Sequence, residues 1–234
     1  MKFLSYVTNA LTNLIFPHLC EGCGSPHLPE KEYLCTYCYS ELPDTIFFAS
    51  ENNPVERLLI GRLMIEMAGA QFYYTRKSLM RKLMHEFKYK GHISLGKYLG
   101  NLMAYGISNS KRFSDIDLII PVPLHDKKQR KRGYNQAEVL ATSISMVMQK
   151  PLITNAVLRQ SASESQTKKN RIERWNNAEG SYLVQNANII NNKHILLVDD
   201  VITTGATIEA CGRALMKSSN CRLSIATLCY TSGN

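Results

Sequence analysis

The 234-residue sequence predicts an α/β protein, a parallel sheet covered on both faces, preceded by a small metal-held module. Three observations predict it. From residue 117 onward, runs rich in Ile, Leu and Val alternate with stretches of helical periodicity. Four cysteines crowd into residues 20–38, well apart from Cys211, Cys221 and Cys229. The strongest apolar run, 194–198, stops at two adjacent carboxylates and a threonine-rich turn. The length allows one core of ordinary size and a second small unit, organised as 1–45, an intermediate region 46–116 and a core 117–234.

Composition bounds the function. At 44% apolar and 20% charged residues the chain reads as globular, which excludes extended disorder and fibrous repeats. No run of about 18 apolar residues is present, so a cytoplasmic protein without stable membrane insertion is expected. In the first segment Phe3, Leu4, Val7, Leu11, Leu14 and Ile15 recur at helical spacing, predicting an amphipathic helix docked on the body, with membrane contact as the alternative. A net charge of +9 points to polyanionic partners, either nucleic acid or a phosphate-rich small molecule.

Cys20, Cys23, Cys35 and Cys38 form C-x2-C, eleven residues, C-x2-C. Each pair can place two thiolates along one edge of a tetrahedron, which suits structural Zn(II); the alternative is four reduced cysteines packed as small apolar groups. Four ligands would close the coordination shell, so the metal would hold structure. Leu19, Leu42 and Pro43 are expected to cover the module's apolar side together with Phe16 and Pro17. Next, 53–75 suggests two short strands, and the following two segments read as helices with Leu79, Leu83 and Phe87, then Leu95, Leu99, Leu102 and Met103, on their inner faces and Gly91 between. His85 and His92 lack a third ligand and read as ordinary surface or core histidines.

The core then runs strand 117–124, helix 136–148, strand 151–158, strand 194–201, helix 207–217 burying Ile208, Cys211 and Leu215, and a closing strand 222–230. Ligands of an open parallel sheet lie beyond the carboxyl ends of its strands, where Asp199 and Asp200 fall. Thr203, Thr204, Gly205, Ala206 and Thr207 lead straight into a helix, so amides, hydroxyls and the helix dipole converge on an anion site suited to phosphate. Carboxylates beside it can accept hydrogen bonds from sugar hydroxyls or hold Mg(II) through its waters, and either use implies a ribose phosphate. The glycines match neither a dinucleotide-binding nor a Walker fingerprint.

The stretch ILLVDDVITTGAT resembles the ribose-5-phosphate signature of type I phosphoribosyltransferases. Together with the two C-x2-C pairs, FKYKGH, PVPLHDKKQRKRGYNQAEVLA and SQTKKNRIERWNN, it is similar to the ComF family of competence proteins over nearly the whole chain. That resemblance implies a phosphoribosyltransferase-like core with a hood from residues 46–116. It further implies that Asp199 and Asp200 contact the ribose hydroxyls of phosphoribosyl pyrophosphate (PRPP), and that Thr203, Thr204, Gly205, Ala206 and Thr207 hold its 5-phosphate.

Two basic segments remain. The loop 125–133 carries Lys127, Lys128, Arg130, Lys131 and Arg132, more cations than a pyrophosphate can use. It reads as a nucleic-acid contact or as a solvated charged loop, and Arg132 with the Gly133 amide could bind pyrophosphate in either case. The second, 161–180, with Gln166, Lys168, Arg171 and Arg174, occupies the place of the mobile loop that closes over PRPP in catalytic relatives; Trp175 is expected to pack its base. Two functions compete. One is a competence factor that receives single-stranded DNA, engages uptake-channel or helicase partners and keeps a PRPP pocket. The other is an active phosphoribosyltransferase using Mg-PRPP and an unknown acceptor.

Overall fold

A computed structural model describes residues 18–26, 28, 32–160 and 181–231. The expected N-terminal helix and the segment bearing Gln166, Lys168, Arg171, Arg174 and Trp175 lie outside the described residues. The described elements are α1 (Thr36–Ser40), α2 (Pro54–Leu59), β1 (Met67–Tyr73), α3 (Leu79–Tyr89), α4 (Ile93–Ser108), β2 (Leu118–Pro121), α5 (Asp126–Arg132) and α6 (Gln136–Met148). They continue with β3 (Val157–Arg159), β4 (Tyr182–Val184), α7 (Ala187–Ile190), β5 (His194–Ile202), α8 (Ala206–Ser218) and β6 (Arg222–Tyr230).

The main sheet is parallel throughout, in the order β1-β6-β5-β2. Successive residues of a strand point to opposite faces, and β5 shows it. Ile195 and Leu197 join one core with α2 and α8, while Leu196 and Val198 join the other with α3, α4 and α6. Helices therefore cover both faces, as the continuous apolar runs predict.

Three stretches differ from the sequence expectation. In 53–75 there is one helix and one strand. Asn53 caps α2 by accepting from the Val55 and Glu56 amides, Pro54 takes the first helical position, and only Met67–Tyr73 extends as β1. That strand belongs to the region read as a hood, yet it pairs with β6 in the main sheet. Within 151–158, Leu152 makes a lone parallel bridge to Ile119, and the chain then turns into β3, which pairs antiparallel with β4 in a separate two-stranded sheet. The basic loop after β2 is largely helical, α5, ended by Gly133 at φ +81°.

Among the described residues the cysteine-bearing segment has no core separate from that of α3 and α4. Cys20, Leu34, Cys38 and Leu42 share the cluster built by Met80, Leu83, Phe87 and Leu99, whereas Leu19 is 43% exposed rather than covering the module. Residues 43–45 then run along the outer edge of β1, with Thr45 N–H donating to Gln71 O and Tyr73 N–H to Pro43 O. Among the described residues no helix is long and apolar enough to cross a membrane.

Asn53 ties these parts together. Buried to 3% exposure, it caps α2 and also donates from Nδ2 to the carbonyls of Phe47, Ser50 and Ala68. Asn53→Ala should cost about 2 to 3 kcal/mol, because the Val55 and Glu56 amides and the Ala68 carbonyl lose a buried side-chain partner; a urea melt of the variant against the parent checks it.

Candidate functional site

The site is built on the end of β5. Asp199 and Asp200 stand where the strand leaves the sheet, both partly buried, and Asp199 Oδ1 accepts the Asp200 amide at 2.8 Å. Burial, reinforced by the neighbouring charge of Asp200, pushes the Asp199 carboxyl up to about 7, against the pull of the Asp200 amide, Lys88 and Arg159. One of the pair thus keeps a proton near neutrality unless a cation or a hydroxyl donor stabilises its anion. Lys88, on α3, reaches across to place Nζ 2.9 Å from Asp200 Oδ2, with both side chains under a fifth exposed.

Beyond the acids the chain turns through residues 203–205 into α8. Gly205 sits at φ +75°, where a side chain is strained, and an added Cβ would lie 3.1 Å from Leu59. As the residue before a 13-residue helix, it leaves the amides of Ala206, Thr207 and Ile208 without intrahelical acceptors. Thr203, Thr204, Ala206 and Thr207 are exposed around this turn. Together with Asp199 and Ile202 they line a small open cleft of about 30 Å³. Carboxylates, free amides and hydroxyls meeting there can hold a phosphate ester bearing vicinal hydroxyls.

Arg62 fixes the turn from the side. Its Nη1 donates to the Thr204 carbonyl at 2.7 Å, and Nε and Nη2 donate to Glu209 Oε2 on α8. On the other flank Arg159, which eases the charge of Asp199, lies 5.5 Å from the Tyr182 ring; burial pushes the Tyr182 phenol up to about 12. Lys88, Arg62 and Arg159 are residues that sequence reasoning missed. FKYKGH pointed at the neighbourhood of Lys88, but nothing along the chain links any of the three to β5.

The basic segment behaves differently from expectation. Lys127, Lys128, Arg130 and Lys131 are exposed on α5. The Gly133 amide is taken by the Gln129 carbonyl at 2.7 Å, so it caps a helix and is not free to bind pyrophosphate. Arg132 donates to Gln136 Oε1 at 2.8 Å and lies 5.3 Å from the Tyr89 ring centroid.

The four N-terminal cysteines do converge. Their Sγ atoms all lie within 4.8 Å of one another, and Cys23 and Cys35 are 3.7 Å apart. Tetrahedral Zn(II) with bonds of about 2.3 Å requires sulfur separations near 3.8 Å, so the cluster fits such an ion. Gly22 is required for this approach, since a Cβ there would fall 2.5 Å from Cys38 Sγ. Burial alone would raise the Cys20 thiol, but the amides of Cys35, Cys23 and Gly22 outweigh it and bring it down to about 6. Burial and the neighbouring thiols push Cys38 up to about 12. His92 meets the same module, with Nδ1 3.4 Å from Glu21 Oε1.

A phosphoribosyl transferase domain model matches residues 119–233. Competence protein F of Haemophilus influenzae is 32% identical over 139 residues, covering 58% of this chain and 61% of its own, less than two thirds of that relative. Competence protein ComFC of Bacillus subtilis is 26% identical over 204 residues, 85% of this chain and 78% of its own. The DNA utilization protein YhgH of Escherichia coli O157:H7 is 25% identical over 220 residues, 91% and 84% respectively.

The raised Asp199 has a sign that can be measured. A carboxyl whose folded pKa of about 7 lies above the ordinary aspartate range favours the fold while protonated and penalises it increasingly as pH rises from that range towards 7. Asp199→Asn should therefore raise the melting temperature at pH 8, with a gain that shrinks as pH falls towards 5. A pH series of thermal melts reads it directly.

Proposed function

Because this chain belongs to the ComF family, we propose that it is a competence factor that handles incoming single-stranded DNA on the cytoplasmic side during natural transformation and carries a PRPP-binding pocket at the end of β5. The observation that carries the pocket is the meeting of Asp199 and Asp200 with the unpartnered first-turn amides of α8. The relatives named competence and DNA utilization proteins support the DNA role. So does the surplus of exposed cations on α5.

In this reading the amides of Ala206 and Thr207, with the hydroxyls of Thr203, Thr204 and Thr207, bind the 5-phosphate, and Gly205 lets the backbone approach it. Asp199 and Asp200 accept hydrogen bonds from the ribose hydroxyls. Lys88 pairs with Asp200 and orients its side chain, and Arg62 holds the Thr204 carbonyl so that the turn keeps its shape. Mg(II), bound with PRPP, would neutralise the pyrophosphate. Zn(II) on Cys20, Cys23, Cys35 and Cys38 would be structural, since four thiolates leave no open position. Lys127, Lys128, Arg130, Lys131 and Arg132 would meet the DNA backbone, and channel or helicase proteins of the uptake machinery would be the macromolecular partners.

The alternative is catalysis, in which an acceptor attacks C1 of Mg-PRPP and pyrophosphate leaves. Gln166, Lys168, Arg171 and Arg174 would close over that reaction. Calorimetric titration with Mg-PRPP separates the readings when pyrophosphate release is followed in the same samples across nucleobases and single-stranded DNA. Binding that is abolished in Asp199→Asn/Asp200→Asn, without release, is the expected result; release with one acceptor would make the chain an enzyme and identify its substrate.

Two further outcomes follow. Lys128→Glu/Arg130→Glu should weaken single-stranded DNA binding about tenfold or more at low salt and flatten its salt dependence, while Asp199→Asn leaves that binding intact. Cys35→Ser should lose one metal ion per chain by elemental analysis and unfold at lower urea.

A further inference from the structure

The outer face of α3 carries a second basic surface that the pocket does not use. Arg76, Lys77, Ser78, Arg81, Lys82 and His85 line one open groove. Arg81, His85 and Tyr89 recur every fourth residue and form one stripe along the helix, opposite the buried Met80, Leu83, Met84 and Phe87, and Lys77 extends the groove from the turn before the helix. At its far end the His85 and Tyr89 rings lie 5.2 Å apart, tilted by 45°, and Tyr89 is 57% exposed. The Arg132 guanidinium sits 5.3 Å from the Tyr89 centroid and links the stripe to the exposed cations of α5.

A plain solvated helix face explains the cations but not a half-exposed tyrosine ring set among them, with His85 beside it and the Arg132 guanidinium over it. The chemistry that uses both is an unpaired polynucleotide, whose phosphates take the cations and whose open bases stack on rings. The helical part of the stripe, Arg81 to Tyr89, rises about 12 Å at 1.5 Å per residue, enough for a few nucleotides. Acidic groups on this helix do not oppose it: Glu86 faces the cysteine module and pairs with Lys90 at 2.9 Å. Two hydrogen bonds hold the groove in shape, from Arg81 Nη1 to the Arg76 carbonyl and from Lys82 Nζ to the Gly22 carbonyl, each 2.7 Å.

We infer that the stripe from Lys77 through Arg81, His85 and Tyr89 to Arg132 is a track for single-stranded DNA, with His85 and Tyr89 as a stacking platform for one base. The inference rests on the DNA-handling reading above and assigns it a surface on α3, leading away from α5.

Fluorescence anisotropy with a labelled oligothymidylate, at several salt concentrations, tests the track on the full chain. Lys77→Glu/Arg81→Glu should lose at least tenfold in affinity and lower the salt slope by about 1.4, at about 0.7 for each phosphate contact removed. Tyr89→Ala should lose about tenfold with a nearly unchanged slope, and Tyr89→Phe should restore affinity, because stacking needs the ring and not the hydroxyl. Tyr89→Ala should leave binding to a duplex of the same length unaltered. Melting temperature and metal content should stay at parental values in all of these variants. Parental affinity and slope in both the charge-reversed and the Tyr89→Ala proteins would overturn the track while leaving the DNA reading in place. Equal losses in Tyr89→Ala and Tyr89→Phe would overturn the stacking platform. Failure of the unaltered chain to bind oligothymidylate would remove the DNA reading and the track with it.

Discussion

Two carboxylates at the end of a strand buried on both faces set the terms for everything around them. An acid in that position cannot be ionised cheaply, and two in succession repel. The fold answers with cations drawn from distant parts of the chain: Lys88 from α3 to Asp200, and Arg159 from β3 towards Asp199. Neither neutralises the pair completely, since Asp199 remains pushed up to about 7. That residual cost is an arrangement a ligand can relieve, because a ribose or a hydrated cation supplies the donors or charge the protein withholds.

The same economy explains why the cysteine module is packed where it is. It has almost no interior of its own, and its Cys20, Leu34, Cys38 and Leu42 lean on α3 and α4. The contact works in both directions. Lys82 grips the Gly22 carbonyl within the first knuckle, and His92, at the start of α4, faces Glu21 beside Cys20. A metal that stiffens the knuckles would therefore also stiffen α3, the helix that presents Lys88 inward and Arg81, His85 and Tyr89 outward. The module, the pocket and the basic stripe thus share one mechanical element.

Legibility in the sequence follows the range of the interactions involved. β5 and α8 could be read because their signals are local: a continuous apolar run, paired acids, and a glycine before a helix-periodic stretch. The two C-x2-C pairs were equally local, and the sulfurs do meet. In residues 54–59 Val55, Leu58 and Leu59 also suit a short strand, and the Asn53-Pro54 start signal decides for the helix. The basic run 126–132 concealed a helix because its charges outweighed its capping residues, His125 and Gly133. Lys88, Arg62 and Arg159 carried no local signal at all, since each acts on a group brought near only by folding.

The strand order has a consequence for how the protein is made. β6 lies between β1 and β5, and Met67 pairs with Ser224. While the chain emerges from the ribosome, β1 must wait for a neighbour about 150 residues downstream, although the segment at 43–45 already shields its other side. Among the described residues β6 alone joins β1 to β5, so the sheet closes only when a pairing of long sequence separation forms.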